Sequence, residues 1–393
     1  MTTQSSNNTA LASVSNDGPL VSPAIETGTP VIDDGMPQFH EAALALLATL
    51  SPERRMRAER RGKKQARYVT MPKDALIADG IDELCENAAA AAFGESGKRR
   101  ALFLIGESDS GKTRAMEFHI PKRKEFLPYR RPSGELVTPF VSFECPRPIT
   151  LKGFARKALE ACGYPNVSHK LTEQELFDLL KATIRNNRIL FMHIDEMQHV
   201  MKGTTTNEIQ NVSDIIKSLL QIPGWPLHMI LSGVPSLGLF LSPEDGDAQL
   251  RNRSFVVELK QMTRPDAEAL LALQQHMVRD EGVLLGETDS IDFAHRLIHA
   301  YQGACGTIIQ AIQGATERAQ TEHENEPAGT ASGPAVKIKH YAADYAFKFG
   351  CRPSANVFLV NDWERVDPRQ SLAHVIAKAP RETKPSRSRK KEA

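Results

Sequence analysis

The chain has 393 residues, 41% of them hydrophobic and 25% charged, with a formal net charge of +1. That length is more than one compact core usually holds, and the composition is that of an ordinary globular protein. The near-zero charge excludes affinity for nucleic acid through bulk charge, so any such affinity must come from local basic patches. The five cysteines (Cys85, Cys145, Cys162, Cys305, Cys351) are scattered without a CxxC pair. An odd, scattered set argues against a disulfide framework and for a cytoplasmic setting. No apolar run reaches the ~20 residues a membrane helix needs, and the N-terminus lacks the pattern of a secretory signal.

In chain order, residues 1–38 are rich in Ser, Thr, Asn, Pro and Gly, a composition expected to stay disordered. A basic, helical region follows over 39–98, with a short helix from Pro37 to Leu50, a dense basic run from Arg54 to Arg67, a break at Met71-Pro72, and a helix over Ile77 to Phe93. From 99 to 263 strands alternate with helices. Strands are expected at Ala101–Ile105, Pro139–Phe143, Ile189–Ile194, His228–Leu231 and Val256–Leu259. Helices are expected at Thr113–His119, Leu151–Cys162, Glu173–Asn187 and Val212–Leu220. Such alternation predicts an α/β fold, a parallel sheet covered by helices on both faces. Residues 264–321 read as three helices forming a small α-helical lid. Residues 322–393 read as a polar linker, one more helix over Val336 to Phe347, and a basic C-terminal extension.

The loop GESDSGKT fits G-x-x-x-x-G-K-[ST] from Gly106 to Thr113 and lies between an apolar strand and a helix, the context this phosphate-binding loop requires. Gly106, Glu107, Ser108, Asp109, Ser110, Gly111, Lys112, Thr113 and Arg114 are therefore the candidate nucleotide-binding residues, for ATP with Mg²⁺. In this pattern backbone N–H groups wrap a phosphate, Lys112 adds a point charge, and the Thr113 hydroxyl is a Mg²⁺ ligand. The strand ILFMHIDE supplies the partner: Asp195 as the second metal residue and Glu196 as general base for water. His193, within that strand, reads as a packed core histidine. Ser232, ending the strand HMILSG, is a candidate contact to the terminal phosphate or the attacking water. Arg253, with Arg251 as the alternative, is placed to face the nucleotide of a neighbouring subunit.

These segments, together with KKQARYVTMPKD, CPRPITLKGFARKALEACGYP, IDEMQHV, LSGVPSL and DAQLRNRSF, resemble the TniB family of transposition ATPases, related to TnsC and of the AAA+ type. The resemblance runs from about Arg54 to about Gln320. It implies an accessory ATPase that assembles as a homo-oligomeric ring or filament on double-stranded DNA. Such a protein presents a target site to a TniA-like DDE transposase, with a TniQ-like targeting protein as a further partner. The stretch Gly303 to Gln310 departs from many AAA+ proteins in carrying no arginine. Candidate DNA contacts are the run Arg54–Arg67, the cluster Lys122, Arg123 and Lys124 with Arg130 and Arg131, and the group Arg147, Thr150 and Lys152 at a helix start. Alternative readings are a helicase loader, an origin-recognition ATPase, or a signalling or defence NTPase without a DNA partner.

Overall fold

The computed structural model describes residues 25–26, 37–147, 149–200, 206–242, 246–326 and 333–368. Most of the N-terminal tail and the basic C-terminal run from Lys378 to Lys391 lie outside them. Two compact units divide after Gln261.

In the first unit, β1 (Ile25–Glu26) pairs antiparallel with β2 (Tyr68–Val69), so the tail expected to be disordered contributes two residues to a ladder. The helices α1 (Pro37–Thr49) and α2 (Pro52–Ala66) precede β2. The basic run is helical because Ser51 caps it, accepting from the N–H of Arg54, and Pro52 occupies the first turn. The break expected at Met71-Pro72 falls between two helices, where Met71 is extended. Pro72 opens α3 (Pro72–Ala90), where its missing N–H costs nothing.

The central sheet contains β3 (Ala101–Gly106), β6 (Phe140–Glu144), β7 (Phe191–Asp195), β8 (His228–Gly233) and β9 (Ser254–Leu259), with the separate hairpin of β4 (Tyr129–Arg130) and β5 (Leu136–Val137) between β3 and β6 in the chain. Its order is β6-β7-β8-β3-β9, and every pairing is parallel. The helices are α4 (Lys112–His119), α5 (Leu151–Ala161), α6 (Glu173–Asn186), α7 (Thr206–Leu220) and the short α8 (Ala248–Arg251).

The period-two alternation of the strands distributes side chains between two cores. On β3, Ala101, Phe103 and Ile105 join α5, α6 and α7, whereas Leu102 and Leu104 join α3 and α4. A strand buried on both faces must be apolar throughout, which explains ALFLI. On the α3/α4 face the neighbouring strands present Phe140, Phe191 and Ile230, each followed two residues later by a polar group: Ser142, His193 and Ser232.

The second unit holds α9 (Ala267–Asp280), α10 (Ile291–Ala300), α11 (Cys305–Glu324) and α12 (Ile338–Phe349). An aromatic cluster of Phe293, Tyr301, Tyr341, Tyr345 and Phe358 forms its core. The expected linker begins later than the sequence suggests, since α11 continues to Glu324, and 327–332 lie outside the described residues. No helix among the described residues is long and apolar enough to cross a membrane.

Candidate nucleotide and metal site

Because the sheet is parallel, the C-terminal ends of β3, β6, β7 and β8 share one edge. The loop after β3 turns there into α4. Gly106 is closely approached: a Cβ would meet Ser110 Oγ at 2.7 Å and Leu259 Cβ at 3.0 Å. Gly111 has φ +89°, a left-handed conformation that costs a side-chain-bearing residue about 1–2 kcal/mol. Glu107, Ser108 and Asp109 are exposed, and Ser110 is buried.

Lys112 is buried, and its ammonium donates to the carbonyls of Gly106 (2.8 Å) and Glu107 (2.9 Å). Burial lowers its pKa, opposed by the charges of Glu196 and Asp195. Ser110 Oγ is buried with no hydrogen-bond partner. A curled loop, an inward ammonium and an orphaned hydroxyl are what a phosphate would satisfy, so the residues present fit a nucleotide.

The Thr113 hydroxyl donates to Asp195 Oδ2 at 2.7 Å, and the Ser232 hydroxyl donates to Asp195 Oδ1 at 2.6 Å. Burial alone would raise the Asp195 pKa. The hydrogen bonds from Ser232 and Thr113 outweigh it, so the pKa lies below the ordinary carboxylate value. A hydroxyl and an ionised carboxylate are hard oxygen donors, which suits Mg²⁺. Ser232, the candidate contact to the terminal phosphate or attacking water, directs its proton to Asp195 here.

Behind this pair, His193 is buried between Ser142 Oγ (2.8 Å from Nδ1) and Ser232 Oγ (3.0 Å from Nε2). Burial pushes its pKa down to about 4, partly opposed by Asp195, so the ring is neutral near pH 7. It is a core histidine, as expected, with both nitrogens engaged.

Glu196 has φ +54°, costly for a non-glycine residue and of the kind found at functional sites. Its carboxylate accepts from Gln198 Nε2 at 2.6 Å and lies 3.5 Å from His199 Nε2. Gln198 in turn accepts from the N–H of Val234, and His199 Nδ1 lies 3.0 Å from the carbonyl of Cys145. Sequence reading passed over Gln198 and His199, although their offsets of two and three residues from Glu196 were visible. It also passed over Lys73, whose ammonium donates to the Ser110 carbonyl at 2.5 Å.

Arg114 does not turn to the loop; its guanidinium donates to the carbonyls of Gln65 and Ala66 and pairs with Glu117. Arg253 lies at the other edge of the sheet, where its carbonyl accepts from Arg100 and Ala101 at the start of β3. At about 3.3 Å per residue, the strand places ~17 Å between Ala101 and Gly106. With the Gln221 amide oxygen facing it, the Arg253 guanidinium donates to Gln221 at 2.6 and 2.7 Å, and to the Gln249 carbonyl at 3.0 Å. Arg251 donates to the carbonyls of Leu241 and Ser242.

The three basic regions differ. Arg123, a candidate DNA contact, is paired here with Asp82 and the carbonyl of Ala78. Lys122 Nζ packs 3.7 Å above the Phe118 ring; Lys124 is exposed. On α2, Lys64 is buried and Lys63 pairs with Glu59. Arg147, Thr150 and Lys152 are exposed on the same sheet edge as Gly106. Among the described residues Arg147 and Lys152 make no hydrogen bond or ion pair, whereas Thr150 caps α5, accepting from the N–H of Gly153.

A family model described as an AAA domain matches residues 95–240, the span from before β3 to beyond Ser232. The chain has the P-loop AAA+ fold. The matched domain is of the NTPase type. Similar solved structures include Cdc6p from Pyrobaculum aerophilum, at 11% identity over 71% of each chain and a TM-score of 0.44. The ORC1 protein of Aeropyrum pernix in complex with DNA matches at 18% identity over 70% of this chain and 67% of that one, with a TM-score of 0.44. The ORC2 protein of Aeropyrum pernix (ADPNP–ADP complexes) matches at 12% identity over 71% of each chain, with a TM-score of 0.43. No curated protein is significantly similar in sequence.

Proposed function

We propose that this chain is an ATP-hydrolysing AAA+ regulator that assembles on double-stranded DNA and presents target DNA to a DDE transposase of the TniA kind, with a TniQ-like protein as a further partner. The observation that carries the ATPase part is the contact of Thr113 with Asp195 beside the buried Lys112. Lys112 and the loop N–H groups hold the phosphates. Thr113 and Asp195 would hold Mg²⁺, which would supply positive charge to the phosphate oxygens. Glu196 accepts the proton of the attacking water. A ground-state hydrogen bond from Gln198 keeps that carboxylate in place until water arrives.

The DNA part is supported by the exposed cations Arg147 and Lys152 on the nucleotide edge of the sheet, and the transposition part by the TniB-like segments. Arg253, ~17 Å from its own loop by strand length, is suited to a neighbour's nucleotide, so hydrolysis depends on assembly.

The test is binding of the full chain to duplex DNA with ATP, ADP or no nucleotide, followed by imaging of the assemblies and a strand-transfer assay with the cognate transposase. ATP-dependent rings or filaments that stimulate strand transfer support the whole reading. ATP hydrolysis with no DNA association leaves the signalling-type NTPase as the better reading. DNA assembly without an effect on the transposase points to the loader or origin-recognition class.

A further inference from the structure

We propose that His193 is a positioning residue for the metal-binding carboxylate: its imidazole fixes the direction of the Ser232 hydroxyl and, through it, the orientation of Asp195 toward Thr113. This rests on the reading of Thr113 and Asp195 as the Mg²⁺ residues. An unbroken row of polar groups runs along one face of three neighbouring strands: Ser142 on β6, His193 on β7, Ser232 on β8, then Asp195 at the end of β7 and Thr113 on α4. Ser142 and His193 are register partners. The same face is otherwise apolar, with Phe191 and Ile230 adjacent in the row below. A buried polar side chain left unpaired there costs about 1–3 kcal/mol, so the imidazole is not a neutral filler.

Counting protons gives the row a direction. The Asp195 carboxylate can only accept, so the single Ser232 proton goes to Oδ1. Ser232 must then accept from His193 Nε2–H. Nδ1 faces the Ser142 hydroxyl, which donates to the neutral ring. The Ser232 hydroxyl has a second acceptor within reach, the Ile194 carbonyl at 3.5 Å, beside Asp195 Oδ1 at 2.6 Å, and the His193 Nε2–H occupies the lone-pair side of the same oxygen. With Ser232 and the N–H of Glu196 (2.9 Å) both on Oδ1, the other oxygen is left directed to Thr113. Groups that orient a metal-binding residue from behind commonly change metal affinity about 10- to 100-fold when removed.

The experiment titrates Mn²⁺, followed by electron paramagnetic resonance, into the full-length protein with ADP bound, and measures ADP affinity separately in EDTA. His193→Leu should weaken Mn²⁺ binding about 10- to 100-fold while ADP affinity in EDTA stays at the wild-type level. His193→Gln, which keeps a side-chain N–H, should recover much of the loss. A folded His193→Leu protein with wild-type Mn²⁺ affinity overturns the proposal. Should that variant not fold, Ser142→Ala decides. Its position is exposed, and the change frees Nδ1 to take the ring proton and reverse the row. Weakened Mn²⁺ binding is expected, and unchanged binding overturns the proposal. A wild-type protein that binds ADP but no Mn²⁺ would instead remove the metal reading on which it rests.

Discussion

Thr113 Oγ1 meets Asp195 Oδ2 at 2.7 Å across 82 positions of sequence, which joins the phosphate loop to the end of β7. Asp195→Asn keeps the shape and removes the charge. Nucleotide affinity in EDTA should be nearly unchanged, while the Mg²⁺-dependent gain in affinity and turnover is lost. Lys112→Ala should differ by losing nucleotide binding in both conditions, because no second ammonium occupies its place between the carbonyls of Gly106 and Glu107. Isothermal titration with and without EDTA separates the two.

Glu196→Gln should retain ATP binding and lose about 10²- to 10⁴-fold in hydrolysis, the usual cost of removing a positioned base. Gln198→Ala removes the donor 2.6 Å from the same carboxylate. It should change the rate by less than Glu196→Gln and leave ATP affinity alone. Single-turnover hydrolysis compares them; a Glu196→Gln rate equal to wild type would remove Glu196 as the base.

Arg253→Ala should leave ATP binding intact and reduce hydrolysis by up to about 10³- to 10⁵-fold if the guanidinium serves a neighbour's site. Mixing Arg253→Ala with Lys112→Ala protein should restore some activity at interfaces pairing an intact loop with an intact arginine. No recovery in mixtures that co-assemble would transfer the role to Arg251.

Log DNA affinity should fall linearly with log salt, and Arg147→Ala with Lys152→Ala should lower both affinity and slope, because each lost phosphate contact releases about one fewer counterion on binding. Neutralising Arg123 should have a smaller effect on DNA and a larger one on stability, since its partner is Asp82. Fluorescence anisotropy at several salt concentrations distinguishes these outcomes.

His228 is buried and its pKa is lowered to about 4, by burial first and then by the charge of Arg100. Its folded pKa is below the ordinary histidine value of 6.5, so the unfolded chain takes up the proton first as pH falls. Above about pH 6.5 the ring is neutral in both states and no stability is lost. Between there and about pH 4 stability should fall, and His228→Phe should make the fall shallower. Urea midpoints of the first unit from pH 7.5 to 4.5 measure this.

The sequence by itself determined the repeating strands and helices, the phosphate loop and the Asp195-Glu196 pair. Each of these is written in local spacing: period two in a strand, 3.6 in a helix, and glycines at fixed offsets in a loop. The tertiary structure decided everything that depends on which strands are neighbours. The order β6-β7-β8 brings Ser142, His193 and Ser232 into one row, although no spacing in the chain relates them. It also decided which cations are already spent: Arg123 on Asp82 and Arg114 on the end of α2. A charge run in sequence counts cations, but only packing shows how many have found a carboxylate or carbonyl partner.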